Sequence, residues 1–327
     1  SKLHLKGDFS MKILFVIDRI ELKYFEFNNL VTNFWLIKEF LERGFEVYIT
    51  TIDHLSLDGA IPYTNCAESF AKDGNIFYKE FKKKKVEDFN LVMFRPDPPV
   101  DLDYINATYV LDFVNTEKTF IFNNTKAIRD FNEKLHSDIF YDFMPENIVT
   151  SSKNDIECFL SKNDEIILKP LNKCFGAGVM YLHKKDKNIT SIINTMTNNG
   201  KSLTMVQKYI PSKGDKRVLI LNGKVLDETI IKLPPEDDFK FNDHCDKYIK
   251  RGMLSKKEKE SFTLVAQKLN SMGIYSAGLD VIDEKIIEIN VTSPCYFIKE
   301  INNYFNVSLE KTIVDEIIKL TEEKLGD

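Results

Sequence analysis

The chain has 327 residues, which at about 150 residues per domain is too long for one small module and points to two domains or one composite enzyme. It is 43% hydrophobic, 29% charged and 12% aromatic, with only 13 glycines and 10 prolines, so disordered, collagen-like and linker-dominated architectures are excluded. Lysine and arginine total 45 against 50 aspartate and glutamate residues, a net charge of −5, which leaves no global field for nucleic acid or an anionic membrane and makes any phosphate binding local.

The cysteines, Cys66, Cys158, Cys174, Cys245 and Cys295, are scattered, with no C-x-x-C and no histidine nearby at metal-ligand spacing. That usage fits a reducing, cytoplasmic compartment. No apolar run approaches the roughly 18 residues of a membrane span. Residues 1–10 lack the apolar centre of a signal peptide and read as a cloning remnant.

Strands and helices alternate from Met11 onward, the pattern of a parallel sheet with crossover helices. Residues 11–18 form a nearly continuous apolar run, as in a strand buried on both faces. Leu30, Phe34, Ile37 and Leu41 recur at helical spacing, and Gly44 follows where a C-terminal cap belongs. Residues 45–51 complete a strand-helix-strand unit, which the apolar runs 89–95 and 119–123 extend. No G-x-G-x-x-G follows the first strand, so a substrate platform is favoured over a dinucleotide site. The lysine run 82–85 reads as a solvated loop.

Beyond about residue 126 the texture becomes β-rich, with runs at 165–170, 179–183, 203–210 and 217–221. Asn222-Gly223 is a strong hairpin signal, and 278–282 with 285–291 reads as a further strand pair. Ser255-Lys256-Lys257-Glu258 is a capping box opening a helix with Phe262, Val265 and Leu269 on one face. A last helix carries Leu309, Ile313, Ile317 and Leu320, and no solenoid-period repeat is present.

Two constellations carry chemistry. Lys169 ends an apolar strand, and the small-residue loop 172–178 follows it, an arrangement suited to phosphate oxygens. A strand-end lysine snorkelling to solvent beside an ordinary glycine turn gives the same pattern. In the second, strand alternation sets Glu288 and Asn290 on one face with Ile287, Ile289 and Val291 on the other. A hairpin loop centred on Glu284 would put Asp280 opposite Glu288, giving two carboxylates and an amide for a hard cation such as Mg2+. A hairpin with a polar solvent face is the competing explanation. No Ser/His/Asp or Cys/His grouping stands out, and His4, His54, His136, His183 and His244 read as surface or structural.

With these stretches in view, the chain resembles prokaryotic-type glutathione synthetase, of the ATP-grasp superfamily, over nearly its whole length from Met11. The resemblance is carried by Arg95-Pro96-Asp97-Pro98-Pro99, the run 129–135 containing Asn132-Glu133-Lys134, Ile167-Leu168-Lys169-Pro170-Leu171, Gly214-Asp215-Lys216-Arg217, Gly278-Leu279-Asp280, and Glu288-Ile289-Asn290-Val291-Thr292-Ser293-Pro294. It implies an α/β protein with an N-terminal Rossmann-like (pre-ATP-grasp) domain at 11–125 followed by an ATP-grasp domain at 126–327. Within the latter it implies a lid subdomain at about 134–206 and a C-terminal subdomain at about 207–327. Ligation of L-γ-glutamyl-L-cysteine to glycine through an acyl phosphate, giving glutathione, ADP and phosphate, is the implied activity. ATP is the co-substrate, Mg2+ the implied metal with Mn2+ as the variant, and a homo-oligomer without nucleic-acid or membrane partners the implied assembly.

By the same resemblance, Lys134 and Lys169 contact ATP phosphates, and Gln207, Lys208, Tyr209 and Ile210 line the adenine pocket through backbone groups. Asp215 takes the ribose side, and Arg217 neutralises the transferred phosphoryl group. Asp280, Glu288 and Asn290 hold the metal. Arg95, Asn242 and Ser293 serve the acceptor and donor substrates. Acyl-phosphate chemistry needs no protein nucleophile, since positioning and cationic stabilisation of spreading negative charge suffice.

Three stretches depart from the family pattern. The phosphate loop has Cys174-Phe175 where glycines are usual, and the later loop reads 239–246 with Lys240 in place of arginine. The third, Cys295-Tyr296-Phe297, runs one residue long after Pro294. These keep two further readings in play: a sister ATP-grasp ligase joining another carboxylate and amine, and a nucleotide-binding protein without turnover.

Overall fold

The computed structural model describes residues 11–19, 21, 29–173, 176–234 and 248–326. Residues 1–10, Cys174, Phe175, and the loop with Lys240, Asn242, His244 and Cys245 lie outside the described residues.

The first sheet is built around β1 (Lys12–Val16), which pairs in parallel with β2 (Glu46–Thr50) on one side and β6 (Leu91–Phe94) on the other. β7 (Phe120–Phe122) continues it in parallel beyond β6. Ile13 to Val16 are fully buried, because a central strand covered on both faces has no solvent side on which polar residues would be favoured. Helix α1 (Thr32–Glu42) makes the crossover from β1 to β2. Its end follows the sequence signal: Gly44 has φ +86°, its N–H reaches the Leu41 carbonyl at 3.0 Å, and Phe45 N–H reaches the Phe40 carbonyl at 3.1 Å.

The sheet is not wholly parallel, contrary to the alternation read from the sequence. β3 (Leu55–Asp58), β4 (Ile61–Lys72) and β5 (Asn75–Lys85) form an antiparallel meander joined through β4 to β2. The lysine run is therefore the end of a strand and not a loop: Lys82 to Lys85 pair with Cys66 to Tyr63. Among the described residues β5 pairs with β4 alone, and a row of lysines on such a strand discourages pairing with another chain. After β6 come α2 (Leu102–Leu111), N-capped by Asp101, and α3 (Thr125–Arg129).

A second, antiparallel sheet has the order β10-β9-β11-β8, from β8 (Asn147–Thr150), β9 (Glu165–Pro170), β10 (Met180–His183) and β11 (Thr204–Lys208). Helices α4 (Lys153–Asn163) and α5 (Ile189–Met196) pack on it around a separate small core of residues such as Ile156, Leu168, Ile193 and Val206. The third sheet, also antiparallel, comprises β12 (Asp215–Leu221), β13 (Lys224–Val225), β14 (Ile230–Lys232), β15 (Ile249–Arg251), β16 (Ser276–Ile282) and β17 (Lys285–Asn290). The Asn222-Gly223 turn joins β12 to β13, both residues at positive φ. Helix α6 (Lys256–Ser271), opened by the Ser255/Glu258 capping box, lies between β15 and β16, and α7 (Ile298–Phe305) and α8 (Leu309–Leu325) follow β17.

The two larger cores both mix the first and third units. Phe34 and Phe40 share one with Ile313 and Ile317, and Leu14 and Val92 share the other with Phe262 and Leu279. Asn123, just after β7, stitches the same units together: its Nδ2 donates to the Ser276 and Val291 carbonyls at 2.9 and 3.1 Å. Its Oδ1 accepts the Tyr275 and Ser276 amides at 2.8 and 2.9 Å, so the buried amide is fully satisfied. Among the described residues, no helix is long and apolar enough to cross a membrane.

The β16–β17 hairpin turns on Asp283 and Glu284, both at positive φ, so its loop is two residues and not one centred on Glu284. Direct counting from that turn would set Asp280 opposite Ile287. A bulge between Asp280 and Val281 restores the expected pairing of Asp280 with Glu288 and Gly278 with Asn290. Its physical consequence is that Ile287 lines the cavity beside Glu288, where strict alternation would turn it away.

Candidate active site

A cavity of about 470 Å³ is lined by residues of all three units. It collects Lys134, Lys169, Gln207, Lys208, Tyr209, Ile210, Asp215, Arg217, Asp280, Glu288, Asn290 and Ser293, which is every described residue singled out from the sequence except Arg95.

Lys169 reaches the cavity because it sits near the end of β9, where the strand's apolar residues Ile166 and Leu168 anchor the small core on the opposite face. Its Nζ donates to Gln207 Oε1 at 3.0 Å and to the Ile287 carbonyl at 3.3 Å. Burial pushes the ammonium down to about 8, helped by the Lys134 charge and opposed by Glu288. Gln207 Nε2 is buried without a hydrogen-bond partner, a donor aimed where an acceptor-rich ligand would satisfy it. Lys134 donates to the Lys173 carbonyl at 2.5 Å and stands 3.7 Å from Glu288. Two desolvated ammonium groups beside a phosphate-sized space attract phosphoryl oxygens more strongly than exposed lysines do.

The linker after β11 is partly committed to the fold. The Lys208 amide is donated to the Glu146 carbonyl at 2.8 Å and the Tyr209 amide to the Glu165 carbonyl at 3.1 Å. Neither can also read a base edge while those bonds stand.

Across the cavity, Arg217 lies opposite Asp280 in the β12–β16 ladder, and its Nε donates to Asp280 Oδ1 at 2.9 Å. Arg217 Nη1 also reaches the Cys295 carbonyl at 3.2 Å. Lys232, at the end of β14, stands 3.3 Å from Asp280 and 3.8 Å from Asp215. Burial alone would raise the Asp280 carboxyl, but Arg217 and Lys232 overcome it and hold the group well below the usual carboxylate range. Asn290 Nδ2 donates to Asp280 Oδ2 at 3.2 Å, leaving its Oδ1 as the atom able to ligate.

Two carboxylates and an amide oxygen form an all-oxygen donor set that suits a hard cation completing its shell with water and phosphate oxygens. No group of three or more His, Cys, Asp or Glu among the described residues would hold a metal without such help.

Arg95 is buried and does not line the cavity. Its Nε donates to Asn33 Oδ1 at 2.5 Å and its Nη2 to the Pro294 carbonyl at 2.9 Å, so it holds the cavity-lining Ser293–Pro294 stretch from behind. Ser293 donates to Asp97 Oδ1. Asn242 lies outside the described residues.

Sequence reasoning missed Lys232 and Glu133. Lys232 carries the signal that found Lys169, a lysine closing a β-branched strand, but Ile230–Lys232 is only three residues long. Glu133 accepts Val291 N–H at 3.3 Å and Thr292 Oγ–H at 2.9 Å, fixing the segment that leads into Ser293. Burial and the neighbouring Glu288 push its carboxyl up to about 7. His136 lines the cavity too, with Nδ1 accepting the Asn132 amide at 2.8 Å.

Comparison with known proteins agrees with this arrangement. The sequence model "Prokaryotic glutathione synthetase, N-terminal domain" matches residues 11–129, and "Prokaryotic glutathione synthetase, ATP-grasp domain" matches 133–306. The glutathione synthetase of Vibrio vulnificus strain CMCP6 is 33% identical over 291 residues, covering 88% of this chain and 92% of that protein. That of Buchnera aphidicola subsp. Schizaphis graminum is 32% identical over 313 residues, covering 94% and 97%. Among solved structures, D-cycloserine synthetase DcsG superposes with a TM-score of 0.66 at 12% identity over 95% of this chain and 99% of its own, a likeness of fold alone. With both domain models matched in order and relatives aligned nearly end to end, the chain belongs to the prokaryotic glutathione synthetase family.

Proposed function

We propose that the protein joins L-γ-glutamyl-L-cysteine to glycine at the expense of ATP. The observation that carries this reading is one cavity in which Lys134, Lys169, Arg217 and Lys232 converge with the oxygen set Asp280, Glu288 and Asn290. A carboxylate is a poor electrophile. Its oxygen attacks the γ-phosphorus of ATP, ADP leaves, and the acyl phosphate so formed is attacked by the glycine amine with loss of a proton and release of phosphate. Every stage spreads negative charge over phosphoryl oxygens, and fixed cations in a water-poor site stabilise that charge without reorganising.

In this reading Lys134 and Lys169 bind the nucleotide phosphates, and Arg217 faces the transferred group. The 207–210 linker holds adenine and Asp215 the ribose. Given the committed Lys208 and Tyr209 amides, base recognition falls to the linker's remaining backbone groups. Asp280, Glu288 and Asn290 would hold Mg2+, or Mn2+ in its place, and the cation would supply neutralisation of the phosphate charge. Arg95 and Ser293 serve the dipeptide, and Asn242 the substrate side of the later loop. Domain limits near residues 125 and 206, with 134–206 as the lid, belong to the same reading; a core of its own under the four-stranded sheet, from Ile148 to Val206, supports a separate lid, although β11 runs on to Lys208 and Phe140 and Met144 pack into the core shared by the other two units. A cytoplasmic setting suits a thiol substrate, and a homo-oligomer is the expected assembly.

Phosphate release from ATP, measured with γ-glutamylcysteine and glycine separately and together, tests the reading. Release that requires both supports it. Release only with other carboxylate and amine pairs, or nucleotide binding with no release under any pair, rejects it.

A further inference from the structure

β17 ends at Asn290, and the strap that follows it, 291–295, leaves the sheet and is held by side chains from distant parts of the chain. Asp97 accepts the Ser293 hydroxyl, Arg95 donates to the Pro294 carbonyl and Arg217 to the Cys295 carbonyl. Glu133 grips the end nearest Asn290 with both oxygens: Oε2 accepts the Val291 N–H at 3.3 Å and Oε1 the Thr292 hydroxyl at 2.9 Å. Val291 and Thr292 are buried, so neither donor has water to fall back on. One carboxylate thus fixes the backbone between Asn290, in the oxygen set, and Ser293, which lines the cavity.

The backbone of Glu133 belongs to the other half of the site. Asn132 Oδ1 accepts the Lys134 and Leu135 amides at 3.0 and 2.9 Å, and its Nδ2 donates to the Leu171 carbonyl at 3.1 Å, at the foot of the phosphate loop. This turn brings Glu133 and Lys134 to the cavity as neighbours, and the Lys134 ammonium reaches the Lys173 carbonyl. By charge alone Glu133 is misplaced, since a carboxylate beside a phosphate-sized space repels phosphoryl oxygens. Burial and then Glu288 push its carboxyl up to about 7, against the pull of Thr292, Lys134 and Val291. What offsets that cost is the pair of donors on the strap.

We infer that Glu133 is a positioning residue for the dipeptide, setting the Thr292–Ser293 backbone through its two hydrogen bonds while its charge opposes the nucleotide; this rests on the function proposed above. It acts through Val291 and Thr292. With that end of the strap released, Ser293 is held by Asp97 alone on its side chain, and the reacting carboxylate loses a fixed neighbour. A misplacement of about 1 Å in such a support can cost on the order of 100-fold in rate. The two substrates should therefore respond to loss of the Glu133 charge in opposite directions, which a general loosening of the site would not produce.

The test is Glu133→Gln, which keeps the shape, removes the charge and turns one of the two acceptors into a donor. Phosphate release with ATP and glycine should show kcat/KM for γ-glutamylcysteine falling by roughly 10- to 100-fold, the size of a lost hydrogen bond to a charged group. The Kd for ATP, measured by calorimetry without dipeptide, should stay the same or decrease. Thr292→Val removes the hydroxyl from the other side and leaves the acid in place; it carries the test if Glu133→Gln misfolds, with a fall of roughly 2- to 10-fold for the dipeptide and none for ATP. In the double variant the two losses should fall short of their product, as for partners in one contact. Unchanged dipeptide kinetics in a folded variant, ATP affinity lost in step with kcat/KM, or losses that multiply in full overturn the positioning role alone. A wild-type enzyme inert with γ-glutamylcysteine and glycine overturns the functional reading, and the role of Glu133 with it.

Discussion

Gly278 lies against the Arg217 guanidinium: a Cβ built on Gly278 would stand 2.9 Å from Arg217 Nη1 and 3.2 Å from its Cδ. The glycine and the arginine occupy adjacent strands, β16 and β12, and the missing side chain is what lets Arg217 fold across to Asp280. Glycine is needed here for close approach and not for backbone freedom.

Gly278→Ala should therefore displace Arg217 without unfolding the sheet. Contacts under 3.0 Å force a shift, and the long arginine side chain yields before the backbone does. Turnover is expected to fall by about 10- to 1000-fold, the range for removing one preorganised charge-stabilising donor, while KM for ATP changes little. Steady-state kinetics and thermal melting together check this. Unchanged turnover in a folded variant would place Arg217 outside the reaction.

Arg95 is buried and holds the Pro294 carbonyl from behind the cavity wall. Arg95→Ala leaves the Asn33 and Pro294 oxygens without their donor, a destabilisation of about 1–3 kcal/mol. The segment it releases carries Ser293, so KM for the dipeptide should rise much more than KM for ATP. Equal small effects on both would return Arg95 to a purely structural role.

How much of this was legible in the sequence depends on the range of the contact. β1, the α1 cap, the α6 capping box and the Asn222-Gly223 turn were readable because their causes lie within a few residues. The β3–β5 meander was not, because Asn75–Lys85 is mostly charged, and an exposed strand of lysines lacks the apolar alternation that marks a half-buried one. The bulge at Asp280 was invisible for another reason: an extra residue in one strand changes backbone register without leaving a side-chain pattern, so the correct partner of Asp280 was reached through a turn of the wrong length. The Glu133–Thr292 contact joins residues far apart in sequence, and nothing local announces it.

Lys169 gives a prediction in pH. Its folded-state value is lowered to about 8 from the ordinary 10.5, so between those limits the unfolded chain holds a proton that the folded chain lacks. Stability of the ligand-free protein should then rise as pH climbs through that window, and the burden of the buried charge is fully present below it. Phosphate oxygens favour the protonated form, so nucleotide binding above about pH 8 should take up a proton and weaken as pH rises. Calorimetry of ATP binding in two buffers of different ionisation enthalpy reads the uptake directly. Lys169→Met should abolish it along with most of the affinity, and equal heats in both buffers for the wild-type protein would remove Lys169 from the phosphate site.

The metal assignment yields a paired test on one hairpin. Glu288 stands directly opposite Asp280 and faces the cavity, whereas Asp283 sits in the turn at φ +51°. Asparagine tolerates that conformation as well as aspartate does, so Asp283→Asn should leave turnover and the magnesium requirement nearly unchanged. Glu288→Gln keeps the shape but removes one of the two carboxylates available to the cation, and it also removes the carboxylate 3.7 Å from Lys134. Magnesium titrations of this variant should shift to higher concentration and turnover should fall strongly, because a hard cation prefers charged oxygen to amide oxygen and the phosphoryl group loses part of its electrostatic clamp. The pair also probes register: had the strand paired straight from its turn, Ile287 would oppose Asp280 and the Glu288 charge would be silent. Superimposable magnesium curves for Glu288→Gln and wild type, or damage from Asp283→Asn in its place, would refute both the ligand set and the bulged pairing that assembles it.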